Sequence, residues 1–165
     1  MKIGKKMEDA INKQINAELY SAYLYLSMSA YFESTNFKGF AGWMKVQAGE
    51  EVEHSMKFMN HINERGGRVI LDAIDAPKKE WKSPLDAFEE AYNHELEVTS
   101  LIDNLVKIAN EEKDNAASVM LHWFTNEQIE EEDQTGEIVE KLKLIKDSPN
   151  GLFMLDKVLG ERKQD

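Results

Sequence analysis

No cysteine occurs in the 165 residues. Disulfides, thiolate metal ligation and thiol catalysis are therefore excluded. Only three prolines and nine glycines are available to interrupt regular backbone. No apolar run approaches the ~18 residues of a membrane span. The N-terminal stretch Met1-Lys2-Ile3-Gly4-Lys5-Lys6-Met7 also lacks the apolar region of a secretion signal. A membrane partner is not expected, and the cytoplasm is the expected location. Bases are scarce too, 20 against 31 acids for a net charge of −11. Without a basic stripe, nucleic acid is an unexpected partner. Cations are the expected one.

What is present favours helix. The chain is 42% hydrophobic and 31% charged, a globular composition of a size that suits one domain over residues 1–165. Four segments repeat apolar residues at steps of three and four. The first, from about 7 to 32, carries Ile11, Ile15, Glu18, Ala22, Tyr25, Ser29 and Phe32. The second, from about 38 to 65, carries Phe40, Met44, Gln47, Glu51, His54, Phe58 and Ile62 before Gly66-Gly67 stops it. The third starts at Ser83 as N-cap with Pro84 behind it. Its stripe reads Phe88, Tyr92, Glu95, Thr99, Ile102, Val106 and Ala109. The fourth reads Ala117, Leu121, Phe124, Gln128, Glu131, Thr135, Ile138, Leu142 and Ile145. The expectation is an all-α four-helix bundle over about 7–146 with a short fifth helix at about 149–160 and a charged tail.

Residues 66–83 show no helical period. About 18 extended residues reach roughly 59 Å at ~3.3 Å each, more than the roughly 42 Å length of a 28-residue helix. This connection is expected to cross the whole bundle, making helices two and three parallel, with Val69-Ile70-Leu71 packing it along the outside.

Each apolar seam has a polar interruption. Thirty-three residues separate Glu18 from Glu51, and the same number separate Glu95 from Gln128. Each half of the chain thus offers a lone Glu and then a pair, Glu51/His54 or Gln128/Glu131, and all six fall at one height. A single seam Glu ordinarily tilts out to water. Four seams doing so together bury several carboxylates, at a cost of several kcal/mol for each unpaired charge. Bound cations relieve that penalty. Inward Glu-x-x-His pairs on long helices are how di-iron carboxylate bundles hold metal. Five oxygen donors and one nitrogen are too oxygen-rich for structural zinc, and without thiolates they exclude iron–sulfur clusters. Two iron ions bridged by Glu51 and Glu131 fit, with Glu18 and His54 completing one site and Glu95 the other. Carboxylates favour Fe(III), and hence oxidation of bound Fe(II) by dioxygen. Neutral Gln128 implies that one ion is held more weakly.

The stretches Glu18-Leu-Tyr-Ser-Ala-Tyr-Leu-Tyr-Leu26, Glu50-Glu51-Val-Glu-His54 and Trp123-Phe-Thr-Asn-Glu127-Gln128-Ile-Glu130-Glu131-Glu132 resemble the signatures of prokaryotic non-haem ferritin. The resemblance spans essentially the whole chain. It implies a ferroxidase and iron-storage protein, a hollow homo-oligomeric shell of 24 copies, and Fe(III) stored as hydrated ferric oxide. Under it, Glu18, Glu51, His54, Glu95, Gln128 and Glu131 match the di-iron centre, and Tyr25 matches a neighbouring tyrosine, a candidate electron donor. Glu50, Glu127 and Glu130 match a third iron site, or else form a solvated helix face. Bacterioferritins also resemble the chain, but they carry Glu-x-x-His in helix four and a haem-ligating Met where Val52 stands, so haem is not expected. His61, His94 and His122 match nothing catalytic and are expected at a surface or interface. Two other functions fit the residues less well: an iron-binding storage subunit without catalysis, and a di-iron oxygenase acting on an organic substrate.

Overall fold

A computed structural model describes residues 1–163; Gln164 and Asp165, the end of the charged tail, lie outside the described residues. The helices are α1 (Lys5–Ser34), α2 (Lys38–Glu64), α3 (Pro84–Glu112), α4 (Asn115–Ile145) and α5 (Pro149–Leu159). Their ends follow from local chemistry. Asn36 and Gly66 take positive φ, 66° in both, to turn the chain after α1 and α2. Ser83, Asp114 and Ser148 each accept a backbone N–H at the start of a helix, and Pro84 and Pro149 occupy first-turn positions where a missing N–H costs nothing. Among the described residues no helix is long and apolar enough to cross a membrane.

α1 and α2 form one antiparallel hairpin, and α3 and α4 form another. The crossover runs alongside α1, its progress marked by Asn12 at Arg68 and Ile70, Asn16 at Asp72 and Ala73, and Ser27 at Lys78. It ends with Trp81 edge-on to Tyr31 and bonded to Glu90. α3 then returns antiparallel to α1, with Tyr25 meeting Glu95 and Lys6 meeting Glu111. α2 and α3 are parallel, as expected. The crossover differs from expectation in one respect. Val69 packs against the core as expected, but Ile70 and Leu71 are exposed, and side-chain amides on α1 hold the backbone of this stretch instead.

A second correction concerns α3. Its buried flank is Ala91, Val98 and Leu105, while Tyr92, Thr99 and Val106 are only partly covered. Phe88, Glu95, Ile102 and Ala109 belong to both stripes, so periodicity alone did not decide which flank turned inward.

The core divides into two apolar clusters. One holds Phe32, Phe40, Met28, Met44 and Phe88; the other holds Ile11, Ile15, Phe58, Ile102 and Phe124. Between them every helix of the bundle contributes buried polar side chains: Glu18, Ser21, Gln47, Glu51, His54, Glu95, Gln128, Glu131 and Thr135. This polar layer is walled by hydrocarbon at both ends.

Candidate metal centre

The local geometry of the layer follows from helical spacing. Glu51 and His54 are one turn apart on α2, and His54 Nδ1 lies 3.2 Å from Glu51 Oε2 and 4.0 Å from Glu18 Oε2. Gln14, one turn before Glu18, donates to Glu18 Oε1 at 2.8 Å. Oε2 of Glu18 is buried and has no hydrogen-bond partner among the described residues. A buried orphan oxygen is costly unless something cationic meets it. Ligand atoms of Glu18, Glu51 and His54 all lie within 4.8 Å of one another, as do those of His54, Glu127 and Glu131.

The other side of the layer is built by α3 and α4. Gln128 Nε2 faces Glu95 Oε2 and Thr99 Oγ1, both at 3.2 Å. Gln47 donates to Glu131 Oε2 at 2.6 Å and to Glu51 Oε1 at 3.4 Å, so one amide touches both acids that would bridge two ions. The Tyr25 hydroxyl donates to Glu95 Oε1. His54 is packed edge-on by Trp123 and Phe124, and Phe124 stacks on Phe58 at 3.9 Å, which fixes the imidazole plane.

Four carboxylates with exposures of 0–2% share this space. Burial, and then the charge of Glu51, pushes Glu18 well above the usual carboxylate range. Burial and the charges of Glu95 and Glu131 do the same to Glu51. Glu131 is pushed up to about 8, by burial first and Glu95 second. Burial likewise lifts the Tyr25 phenol well above 10, so it stays a donor. Without a cation, acids of the layer hold protons at neutral pH. That donor set fits iron, which displaces such protons on binding.

The structure thus brings Glu18, Tyr25, Glu51, His54, Glu95, Gln128 and Glu131 together. The three acids beside them are less uniform. Glu127 lies 3.7 Å from His54 Nε2 and shares a surface hollow of about 420 Å³ with Glu50, Lys57 and Trp123. Glu50 is bound to Arg162 at 2.6 Å, and Glu130 is exposed outside that hollow. His94, expected at a surface or interface, is wedged between α1 and α3, bonded to Ser21 at 2.7 Å. Sequence reading missed the supporting roles of Gln14, Thr99 and Arg162. The Gln14/Glu18 spacing of four was a usable signal; nothing linked Arg162 to this site.

Comparison with known proteins agrees with this geometry. A ferritin-like domain model matches residues 8–145. A bacterial non-heme ferritin of Bacteroides fragilis is 46% identical over 160 residues, covering 97% of this chain and 99% of that one. Another from Staphylococcus saprophyticus is 38% identical over 163 residues, covering 99% and 98%. Among solved structures, an open-pore ferritin from the hyperthermophilic archaeon Archaeoglobus fulgidus superposes with a TM-score of 0.97 at 52% identity, covering 98% of this chain and 99% of that one.

Proposed function

Because this chain belongs to the ferritin family, we propose that it is a cytoplasmic iron store that oxidises Fe(II) with dioxygen and keeps Fe(III) as hydrated ferric oxide inside a shell of 24 subunits. One observation carries this reading: four carboxylates and an imidazole are buried in one layer, with a carboxylate oxygen left unpartnered. Fe(II) is the substrate. Glu18, Glu51 and His54 hold one ion, and Glu95, Glu131 and the Gln128 carbonyl hold the other. Glu51 and Glu131 are shared between them.

Binding releases the protons that burial and mutual repulsion keep on Glu18, Glu51 and Glu131. The resulting carboxylates favour Fe(III) over Fe(II), so the layer promotes electron loss to dioxygen. Two Fe(II) ions supply the two electrons that, with two protons, reduce one dioxygen to hydrogen peroxide; one electron each from Tyr25, bonded to Glu95, and from a third Fe(II), with two more protons, would carry the reduction on to water. Glu50, Glu127 and Glu130 are the acids that would hold a third iron beside the layer and pass it to or from the mineral. Val52 is no haem ligand, and haem has no role in this reading.

The seam above and below the layer is filled by Met28, Met44, Phe58 and Phe124, where an oxygenase would need room for an organic substrate. Exposed apolar side chains supply faces for subunit contacts: Ile70, Leu71 and Ile74 on the crossover, and Leu144, Phe153, Met154 and Val158 around α5. The test is native mass, iron content per particle and oxygen uptake during aerobic Fe(II) loading. A cage-sized particle that consumes oxygen and retains iron is expected. Retention without oxygen uptake would leave storage and remove catalysis; a small oligomer that retains no iron would sink the reading.

A further inference from the structure

Arg162 reaches the metal layer from beyond the end of α5. Its guanidinium lies over Trp43 at 4.4 Å, donates from Nη1 to Gln47 Oε1 at 2.9 Å, and donates from Nη2 to Glu50 Oε2 at 2.6 Å. Its side chain is 17% exposed. The approach is built in. A Cβ on Gly39 would sit 1.6 Å from the Asp156 carbonyl oxygen, so only glycine lets α5 come this close to α2. The Asp156 carboxylate also accepts the Phe40 N–H at 2.9 Å.

Gln47 is the link inward. Its oxygen is taken by Arg162, so its nitrogen faces Glu131 at 2.6 Å and Glu51 at 3.4 Å. A primary amide can turn over, exchanging oxygen and nitrogen at almost no steric cost. Turned over, it would aim a carbonyl oxygen at two carboxylates. A guanidinium has donors only, so it accepts one of the two orientations and rejects the other.

We propose that Arg162 is a positioning residue for the carboxylate layer: by fixing the Gln47 amide it holds Glu51 and Glu131 in the orientation that shares two cations. This rests on reading the layer as the iron-oxidising centre. Charge alone predicts the opposite effect, because a fixed positive charge near a cation site weakens binding. The two roles therefore have opposite signs when Arg162 is removed.

The experiment is anaerobic titration of the assembled, metal-free protein with Co(II) alone, read by calorimetry and by the visible absorption of bound Co(II). The parent should bind a Co(II) pair. Arg162→Ala should weaken that pair by about tenfold and alter its absorption band. Gln47→Ala and the double variant should match Arg162→Ala, since a residue acting only through Gln47 adds nothing once Gln47 is gone. Arg162→Lys retains the charge beside Glu50 and Trp43, and so the seat of α5, but lacks the fork; it should also weaken the pair. Unchanged or tighter pair binding in both Arg162 variants, or losses that add to Gln47→Ala, would overturn the proposal and leave Arg162 as a pin for α5. A parent that binds no Co(II) pair would instead overturn the reading of the layer, and this inference with it.

Discussion

Tyr25 donates its hydroxyl to the Glu95 carboxylate across 70 residues of sequence, joining α1 to α3 at the height of the polar layer. The phenol is fully buried and held protonated by burial and by the carboxylates around it. It is therefore fixed beside the proposed iron pair without being a charged ligand. Tyr25→Phe should bind two Fe(II) within about twofold of the parent yet slow oxidation after the first turnover by about tenfold. Anaerobic calorimetry and repeated stopped-flow additions of Fe(II) check the two halves. Equal rates over successive additions would reduce Tyr25 to core packing.

His54 is the one imidazole among the described residues set against the Glu18/Glu51 carboxylates, 3.2 Å from Glu51. His54→Ala should slow the initial oxidation of Fe(II) by about 100-fold, the scale on which metal sites respond to lost partners. The vacated space under Trp123 and Phe124 should cost about 1–3 kcal/mol of stability, leaving the bundle folded. Stopped-flow absorbance and thermal melting measure each effect. Unchanged kinetics would remove His54 from the site.

Proton linkage gives the metal-free protein a pH dependence of known sign. Glu131 titrates at about 8 in the fold, raised by burial and Glu95, and Glu18 and Glu51 are raised as well. A carboxylate raised above its unfolded value of about 4.3 stabilises the fold below that value, and the contribution is lost as pH climbs through the folded value. The melting temperature of the metal-free protein should therefore fall between about pH 5 and pH 8.5. Zn(II) should flatten this slope and release protons on binding. Calorimetric melting across that window, with and without Zn(II), decides it; a metal-free melting temperature that rises with pH contradicts the assignment.

Replacing a repelling acid by its neutral amide should not harm the empty site. Glu18→Gln, Glu95→Gln and Glu131→Gln are each expected to leave metal-free stability equal or higher, while lowering divalent metal affinity by about tenfold or more. Denaturant unfolding with and without Zn(II) provides both numbers. A marked loss of metal-free stability in all three variants would mean that these carboxylates are paired structurally.

The acids beside the layer need a variant that spares Arg162, because Glu50 carries it at 2.6 Å. Glu127→Ala/Glu130→Ala should preserve binding of the first two irons but change the oxygen consumed per iron by roughly a quarter to a half at high loading. Oxygen electrode traces at low and high iron give the ratio. Identical ratios in parent and variant would make these two acids a solvated face.

Much of this molecule was legible before folding. In α1, α2 and α4 nearly every stripe residue is buried, because one apolar face per helix is written at a period the backbone must obey. The layer could be read for the same reason: Glu18, Glu51, His54, Glu95, Gln128 and Glu131 interrupt those stripes at matched heights, and the crossover is long enough to let helices two and three run parallel.

Tertiary structure decided what local period leaves open. In α3 two stripes share Phe88, Glu95, Ile102 and Ala109, and only packing against α1 and α4 chose Val98 and Leu105 over Thr99 and Val106. Ile70 and Leu71 read as the apolar contact that packs the crossover along the bundle, yet Asn12 and Asn16 hold it by its backbone and leave them exposed. Glu50 reads as an acid of a third iron site or of a solvated face, and nothing nearby in sequence shows that Arg162, 112 residues later, pairs with it. Helical period is a property of neighbours in the chain and is fixed by the sequence nearby. The partner of a polar group depends on where a distant segment lands, and that position is set only when the whole bundle closes.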